Sequence, residues 1–190
     1  MPYLIEAGRL MELGVDPKEI DNALLDFGMP VGPIQLLDDI GLDVALHVAD
    51  TMESFFAERM KSPKLLKQLV DANILGRKSG NGIFHYDKTN KGEVNREALD
   101  FVEQDHEMEA EEIADRLVLL MVAESYRCLD EGIVKSADDI DFAMIMGTGW
   151  APFRGGPMTY AKNIGESIVK EKLNEFQKKD GIIYDTPSNL

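Results

Sequence analysis

One figure occurs twice in this chain and limits its possible folds more than any other feature. Gly32-Pro33 opens a short apolar segment that Ile40-Gly41 closes, and Gly156-Pro157 and Ile164-Gly165 repeat it at an offset of 124. Proline fits the first position of a helix, where its missing N–H costs nothing. Glycine fits the left-handed stop that follows. The echo extends backwards with slowly drifting offsets. Ile20-Asp21 and Ala23 match Ile140-Asp141 and Ala143, while Glu6, Arg9 and Gly14 match Glu124, Arg127 and Gly132. Ordered matches of this kind favour duplication of a unit of roughly fifty residues over chance similarity between two helix–turn–helix stretches.

The segments between these marks read as helices. Residues 3–13 place Leu4, Ile5, Leu10 and Leu13 at helical spacing with no capping residue ahead, which points to a chain cut from something longer. Asp16-Pro17-Lys18-Glu19 is a strong helix start, and that helix runs to Phe27 and stops at Gly28. Further helices are expected over 33–40, 44–60 and 63–73. Residues 76–92 are a glycine-rich loop with a few extended residues at 83–86. Helical character resumes near Asn95, and the acidic stretch 97–112 forms a solvated face. Ile113, Leu117, Leu120 and Met121 continue the helix, Ser136 and Asp139 open one over 137–147, and 157–164 and 166–179 complete the set. No run has the look of a central strand. The class is all-α: a first helical unit at 1–60, a connecting helix and loop at 61–96, and a second unit at 97–190.

The net charge of −15 argues against nucleic acid and anionic membrane surfaces as partners. No apolar run reaches the roughly 18 residues a membrane span needs. One cysteine, Cys128, allows no internal disulfide and fits a reducing, cytoplasmic setting. Gly147-Thr148-Gly149 leads to Pro152 where a dinucleotide fingerprint needs glycine, and a helix rather than a strand precedes it. Lys78-Ser79 lacks the glycines of a phosphate loop, because Ala72 and Arg77 stand in their places. His106-Glu107 lacks the second histidine of a zinc helix. His47 reads as a core or boundary residue, His85 as structural or exposed, and Cys128 as buried and inert. Asp38-Asp39 and Glu111-Glu112 diverge on a helix and make no acid/base couple. The residues assemble no catalytic set, metal site or cofactor site.

Three stretches together resemble the C-terminal helical domain of the 3-hydroxyacyl-CoA dehydrogenases. They are Pro2-Tyr3-Leu4-Ile5-Glu6-Ala7, the run from Gly28 to Asp38, and the loop from Gly76 through Gly80 and Gly82 to Tyr86, where Ile83-Phe84 replace the family's usual Phe-Tyr. The domain is of the kind that closes 6-phosphogluconate dehydrogenase. The second copy, with Ala151-Pro152-Phe153-Arg154-Gly155-Gly156-Pro157, is similar to the multifunctional β-oxidation enzymes, which carry two such units in tandem. The resemblance implies NAD-dependent oxidation of a 3-hydroxyacyl-CoA in fatty-acid metabolism. NAD and the catalytic His–Glu pair then belong to an N-terminal nucleotide-binding domain outside this chain. So does a substrate-contacting asparagine ahead of Pro2. The fragment alone is expected to be inactive. Its implied partners are the acyl-CoA, that nucleotide domain, and a thiolase or other β-oxidation subunits. The competing reading is a free-standing helical scaffold or interaction domain without chemistry.

Under the favoured reading Gly28, Met29, Pro30, Gly32 and Pro33 line the acyl-thioester region, with backbone approaching the ligand at Gly28 and Gly32. A bulky residue at Gly32 is then expected to lower kcat/KM with little loss of stability. The second loop carries Trp150, Phe153 and Arg154, groups suited to filling an interface between the units about a pseudo-two-fold axis.

Overall fold

The computed structural model describes residues 1–87, 90–102 and 106–190. Four helices make the first unit: α1 (Pro2–Glu12), α2 (Pro17–Phe27), α3 (Pro33–Ile40) and α4 (Leu42–Phe56). After α5 (Lys64–Asp71), β1 (Phe84–Asp87), β2 (Asn90–Val94) and α6 (Arg96–Leu99), the second unit repeats the order. Its helices are α7 (Ala110–Asp130), α8 (Ala137–Thr148), α9 (Gly156–Ile164) and α10 (Glu166–Asp180).

The starts of these helices follow from side chains. Asp16 accepts from the backbone N–H of Lys18 at 2.7 Å, and Ser136 accepts from that of Asp139 at 3.2 Å. Pro17 and Pro33 sit where a missing N–H is harmless. The two units are interleaved. α7 packs along both α1 and α2, so the first helix of the second unit completes the core of the first. Leu10, Ile20, Leu24 and Ile34 join Ile113, Leu117, Leu120 and Leu173 in one continuous apolar core, each 0–1% exposed. Arg116 of α7 is buried in that seam. It reaches Asp180 at 2.8 Å, Glu112 at 3.0 Å and Tyr184 at 3.3 Å, while the Tyr184 hydroxyl donates to Glu6. Burial pushes the Glu6 carboxyl above the usual range, with Tyr184, Arg9 and Arg116 opposing.

The structure departs from the sequence reading in several places. The helix expected over 44–60 is regular only to Phe56, and a tight 3₁₀ turn, Ala57–Met60, follows. Ala57 has φ 50° and ψ −134°, which no helix accommodates. α5 ends at Asp71 because Asn73 takes a left-handed φ of 62°. β1 and β2 pair antiparallel, with Phe84 opposite Val94 and Asp87 opposite Asn90. The second strand, Asn90–Val94, is mostly exposed and carries no apolar alternation, so periodicity did not reveal it. The helix expected from Asn95 is a single turn, and α7 starts only at Ala110. Of the acidic stretch, Glu97, Asp100, Glu107, Glu109 and Glu111 are exposed, while residues 103–105 lie outside the described residues. His47 is exposed rather than at a core or boundary position, because α4 buries Ala45 and Ala49 on its other side. Cys128 is half-buried, and burial raises its thiol. Segment 61–96 packs on the first unit, α5 against α1 and α4, and the turn Arg77–Ser79 against α3.

Candidate functional site

The first Gly/Pro loop is held from beneath by a buried carboxylate. Asp21, 1% exposed on α2, accepts through Oδ1 from the N–H groups of Ile34 at 2.8 Å and Gln35 at 3.2 Å. It therefore caps α3 from a neighbouring helix, where negative charge meets the positive end of the helix dipole. Lys91 pairs with its other oxygen at 2.8 Å. Asp141 repeats the device on α8, accepting from Met158 N–H at 2.7 Å and Thr159 N–H at 3.0 Å. The glycines follow from this. A Cβ at Gly32 would lie 2.2 Å from the Asp21 carboxyl carbon, and one at Gly156 would lie 2.4 Å from Asp141 Cβ. Gly32 thus makes room for a cap, and a bulky residue there costs stability. This corrects the expectation that such a change would leave the fold intact.

The two loops meet. A Cβ at Gly28 would stand 2.5 Å from the Phe153 ring and 3.0 Å from Ala151, and one at Gly149 would stand 2.7 Å from the Pro30 ring. Gly28 ends α2 as Gly149 ends α8, and Pro30 and Ala151 each follow two residues later. Each loop's glycine therefore receives the other loop's second residue, the reciprocity of an isologous contact. Gly28 also holds φ at 111°, a conformation that side chains resist. Trp150 is fully buried behind this contact, with its ring 5.3 Å from Phe27 and 5.9 Å from Tyr160, edge to face. Arg154 stacks on Phe27 at 4.1 Å and donates to the Phe27 carbonyl at 2.7 Å. Trp150 and Arg154 do fill the seam. Phe153 lays its ring tip on Gly28 and leaves the rest in solvent, at 75% exposure. Of the five residues named from sequence, Met29, Gly32 and Pro33 are buried, Gly28 is half-buried and Pro30 is exposed.

A third buried aspartate, absent from that set, anchors the glycine-rich loop. Asp38, 0% exposed, accepts from Ile83 N–H and Phe84 N–H at 2.9 Å each and from the Tyr86 hydroxyl at 3.1 Å. A Cβ at Gly82 would collide with its carboxylate, and one at Gly76 with its backbone carbonyl. Burial pushes the Asp38 carboxyl up to about 6, against the pull of its three donors. Next door Asp39 meets Arg77 at 3.0 Å, and Lys78 pairs with Asp43. Gly82 and Tyr86 thus answer to the Asp38 carboxylate and Gly76 to its backbone, while Gly80 faces the Tyr86 carbonyl with a φ of 74°. Sequence reasoning noted Asp38 only as half of an acidic pair. A sharper signal was available for Asp21 and Asp141, a polar residue that recurs inside an apolar echo.

His85 and His106 are exposed, and no group of three His, Cys, Asp or Glu residues among the described residues could hold a metal ion. Among the described residues, no helix is long and apolar enough to cross a membrane.

Two interleaved helical units joined by reciprocal Gly/Pro loops make up a fold that solved dehydrogenase structures share. A crystal structure of 3-hydroxybutyryl-CoA dehydrogenase from Escherichia coli K12 shares that fold with a TM-score of 0.79 at 21% identity, over 98% of this chain and 56% of that one. The dehydrogenase part of multifunctional enzyme 1 from C. elegans does so with a TM-score of 0.72 at 21% identity, over 98% and 44%. Residues 1–86 match the family model for the 3-hydroxyacyl-CoA dehydrogenase C-terminal domain. The fatty acid oxidation complex subunit alpha of Vibrio cholerae serotype O1 is 38% identical over 182 residues, which is 95% of this chain and 26% of that protein. Its Vibrio parahaemolyticus counterpart is 38% identical over 185 residues, 96% of this chain and 26% of that protein. The chain spans about a quarter of the length of the curated relatives it matches.

Proposed function

We propose that this chain is the C-terminal helical part of an NAD-dependent 3-hydroxyacyl-CoA dehydrogenase of fatty-acid β-oxidation, and that its work is to close the acyl-CoA cleft and hold the assembly. The observation that carries this is the outward face of the first unit. Val44, Val48 and Phe55 lie along one side of α4, and Val44 and Phe55 are 46% and 80% exposed. An apolar stripe of that size on a water-facing helix marks a docking surface. The first turn of α4 adjoins the Asp38-anchored loop, where Lys78 pairs with Asp43, and the stripe lies within the stretch that matches the family domain. The stripe is where a nucleotide-binding domain docks. The exposed edge of the first loop, Pro30 with half-buried Gly28, then lines the acyl-thioester region, and Met29, Gly32 and Pro33 support it from below.

The residues present do not fit NAD. Gly147 and Gly149 end α8, Gly149 lies against Pro30, and the described residues form only an antiparallel two-stranded ribbon. Among them no strand leads into a glycine turn and a helix N-terminus, the cradle a dinucleotide phosphate requires. In this reading the cofactor and the proton-transfer groups come from elsewhere in the polypeptide. This chain supplies shape and excludes water. The division at 1–60, 61–96 and 97–190 fits the same view, with 61–96 buttressing the first unit. A thiolase or other β-oxidation subunit as partner and a cytoplasmic location belong to this reading too, the latter supported by the single unpaired Cys128.

The test is direct. The full-length polypeptide is expected to form NADH from 3-hydroxybutyryl-CoA. The 190-residue chain is expected to form none and to give no calorimetric signal with NAD. NAD binding at micromolar affinity by the short chain overturns the assignment of roles.

A further inference from the structure

The helix that follows the first Gly/Pro loop, α3, is held at both ends by one strand pair, and its twin α9 is capped from within. Towards the end of α3, Asp38 takes the N–H groups of Ile83 and Phe84 where β1 begins. At its start, Lys91 of β2 meets Oδ2 of Asp21 at 2.8 Å beneath the loop. The Lys91 side chain is 27% exposed and that of Asp21 is 2% exposed. The Lys91 ammonium also lies 3.9 Å from the centre of the buried Phe84 ring. Lys18 of α2 pairs with Glu93 two residues further along β2. In the second unit the matching oxygen of Asp141 accepts from Thr159, through the N–H at 3.0 Å and the hydroxyl at 2.7 Å. Gln35 stands where Thr159 does and brings no hydroxyl. So α9 completes its own cap, whereas α3 borrows a charge from a strand 70 residues beyond Asp21.

A carboxylate buried as deeply as Asp21 stays in place only while its charge is matched. Both of its N–H donors lie on Oδ1, so Lys91 is the group that meets Oδ2. Without that ammonium the carboxylate draws in water or turns towards it. Either movement pulls on the N–H groups of Ile34 and Gln35, and with them on Gly32 and Pro33. We propose that Lys91 is a positioning residue for the first Gly/Pro loop, acting through Asp21 to fix where the Pro30 edge stands against an acyl thioester. Lys91 touches no substrate itself. The strand pair thereby joins the geometry of the acyl-thioester region, and the second loop, which has Thr159 in this part, does without it. The inference rests on the reading of this chain as part of a dehydrogenase.

The experiment has two arms. In the full-length polypeptide, Lys91→Met is expected to raise KM for 3-hydroxybutyryl-CoA about tenfold and to leave kcat within about twofold, because the loop shifts against bound substrate while the proton-transfer groups stay put. Lys91→Arg keeps the charge and is expected to recover most of the loss. A merely structural role lowers the amount of active enzyme, and so kcat, without moving KM. An unchanged KM in Lys91→Met, or a Lys91→Arg variant no better than Lys91→Met, overturns the proposal. The second arm is hydrogen exchange in the 190-residue chain. The Ile34 and Gln35 amides of Lys91→Met are expected to exchange at least about tenfold faster than in the wild type, with those of Met158 and Thr159 unchanged. Equal protection at all four amides overturns the proposal, and so does an equal loss at all four, which reports general loosening of the fold. The two arms separate the two claims. The expected exchange contrast in a protein whose full-length form makes no NADH overturns the dehydrogenase reading alone. NADH formation with KM and exchange both unmoved overturns the role of Lys91 alone.

Discussion

The two units share what lies beneath their loops and differ in what they show to solvent. Asp21 and Asp141 cap the following helix through the same pair of N–H groups, and Gly32 and Gly156 vacate the same space for them. The outward faces diverge. Along α4 the first unit shows Val44, Val48 and Phe55, where α10 of the second places Ile168, Lys172 and Lys179. On α2 it shows Asn22 and Asp26, where α8 places Phe142 and Met146. Asp38, which anchors the glycine loop, has exposed Lys162 at its counterpart. The positions that coincide are those fixed by backbone geometry. Apart from the buried Asp38, the differing positions named here face outwards, so each unit is shaped for a different neighbour.

Four measurements break or sharpen this contrast. The largest effect is expected at the seam. Trp150→Ala removes the ring against Phe27 and Tyr160 and should cost roughly 3–5 kcal/mol in urea denaturation. A loss below about 1 kcal/mol would show that the seam is not a core. Next come the paired glycines. Gly32→Ala and Gly156→Ala each drive a methyl into a capping aspartate, at about 1–3 kcal/mol. Gly156 also holds φ at 85°. Its variant should therefore lose about 1 kcal/mol more. Equal losses would mean that the two loops carry the same strain.

Third is pH. Asp38 titrates near 6 in the fold. That lies above an unfolded value of about 3.9. The folded state therefore holds the extra proton between those values. The stability it contributes is complete below about pH 4 and is lost as pH rises through about 6, by at most about 1.4 kcal/mol per pH unit. Urea midpoints of Asp38→Asn should fall less steeply with pH than those of the wild type, the remaining slope belonging to groups such as Glu6, which burial also raises. The second unit has Lys162 at this place, so an undiminished slope in Asp38→Asn would locate the proton elsewhere. The smallest effect on the fold is expected at Phe55→Ser, which should leave the melting temperature of this chain unchanged. In the full-length polypeptide it should weaken NADH formation. A drop in stability of the short chain would show that the α4 stripe is already covered.

The duplication was legible because it is written in residues that backbone geometry restricts: proline at helix starts, glycine at stops, and isoleucine–aspartate on the helix before. The strand pair was not, because a two-stranded ribbon that leans on one aspartate needs no alternating pattern of its own. Helix ends at Phe56 and Asp71 escaped for a related reason. They are set by left-handed backbone at Ala57 and Asn73, residues that carry no strong stop signal. The Gly/Pro loop was singled out for an approach of backbone to ligand, whereas the close approaches seen in the structure are made by the chain itself. The approaching group is Asp21 beneath Gly32 and Phe153 above Gly28, a pairing that only the three-dimensional packing reveals.

The crossing of α7 over α2 has a consequence for how the chain is made. Ala23 and Leu24 leave the ribosome long before Ile113 and Leu117, the residues that share their core. At roughly 5–20 residues per second that gap lasts about 5–20 seconds. For that interval the first unit is a half-built shell with an open apolar flank. It becomes a finished structure only when a helix that belongs to the other unit emerges, so the order of synthesis runs against the order of assembly.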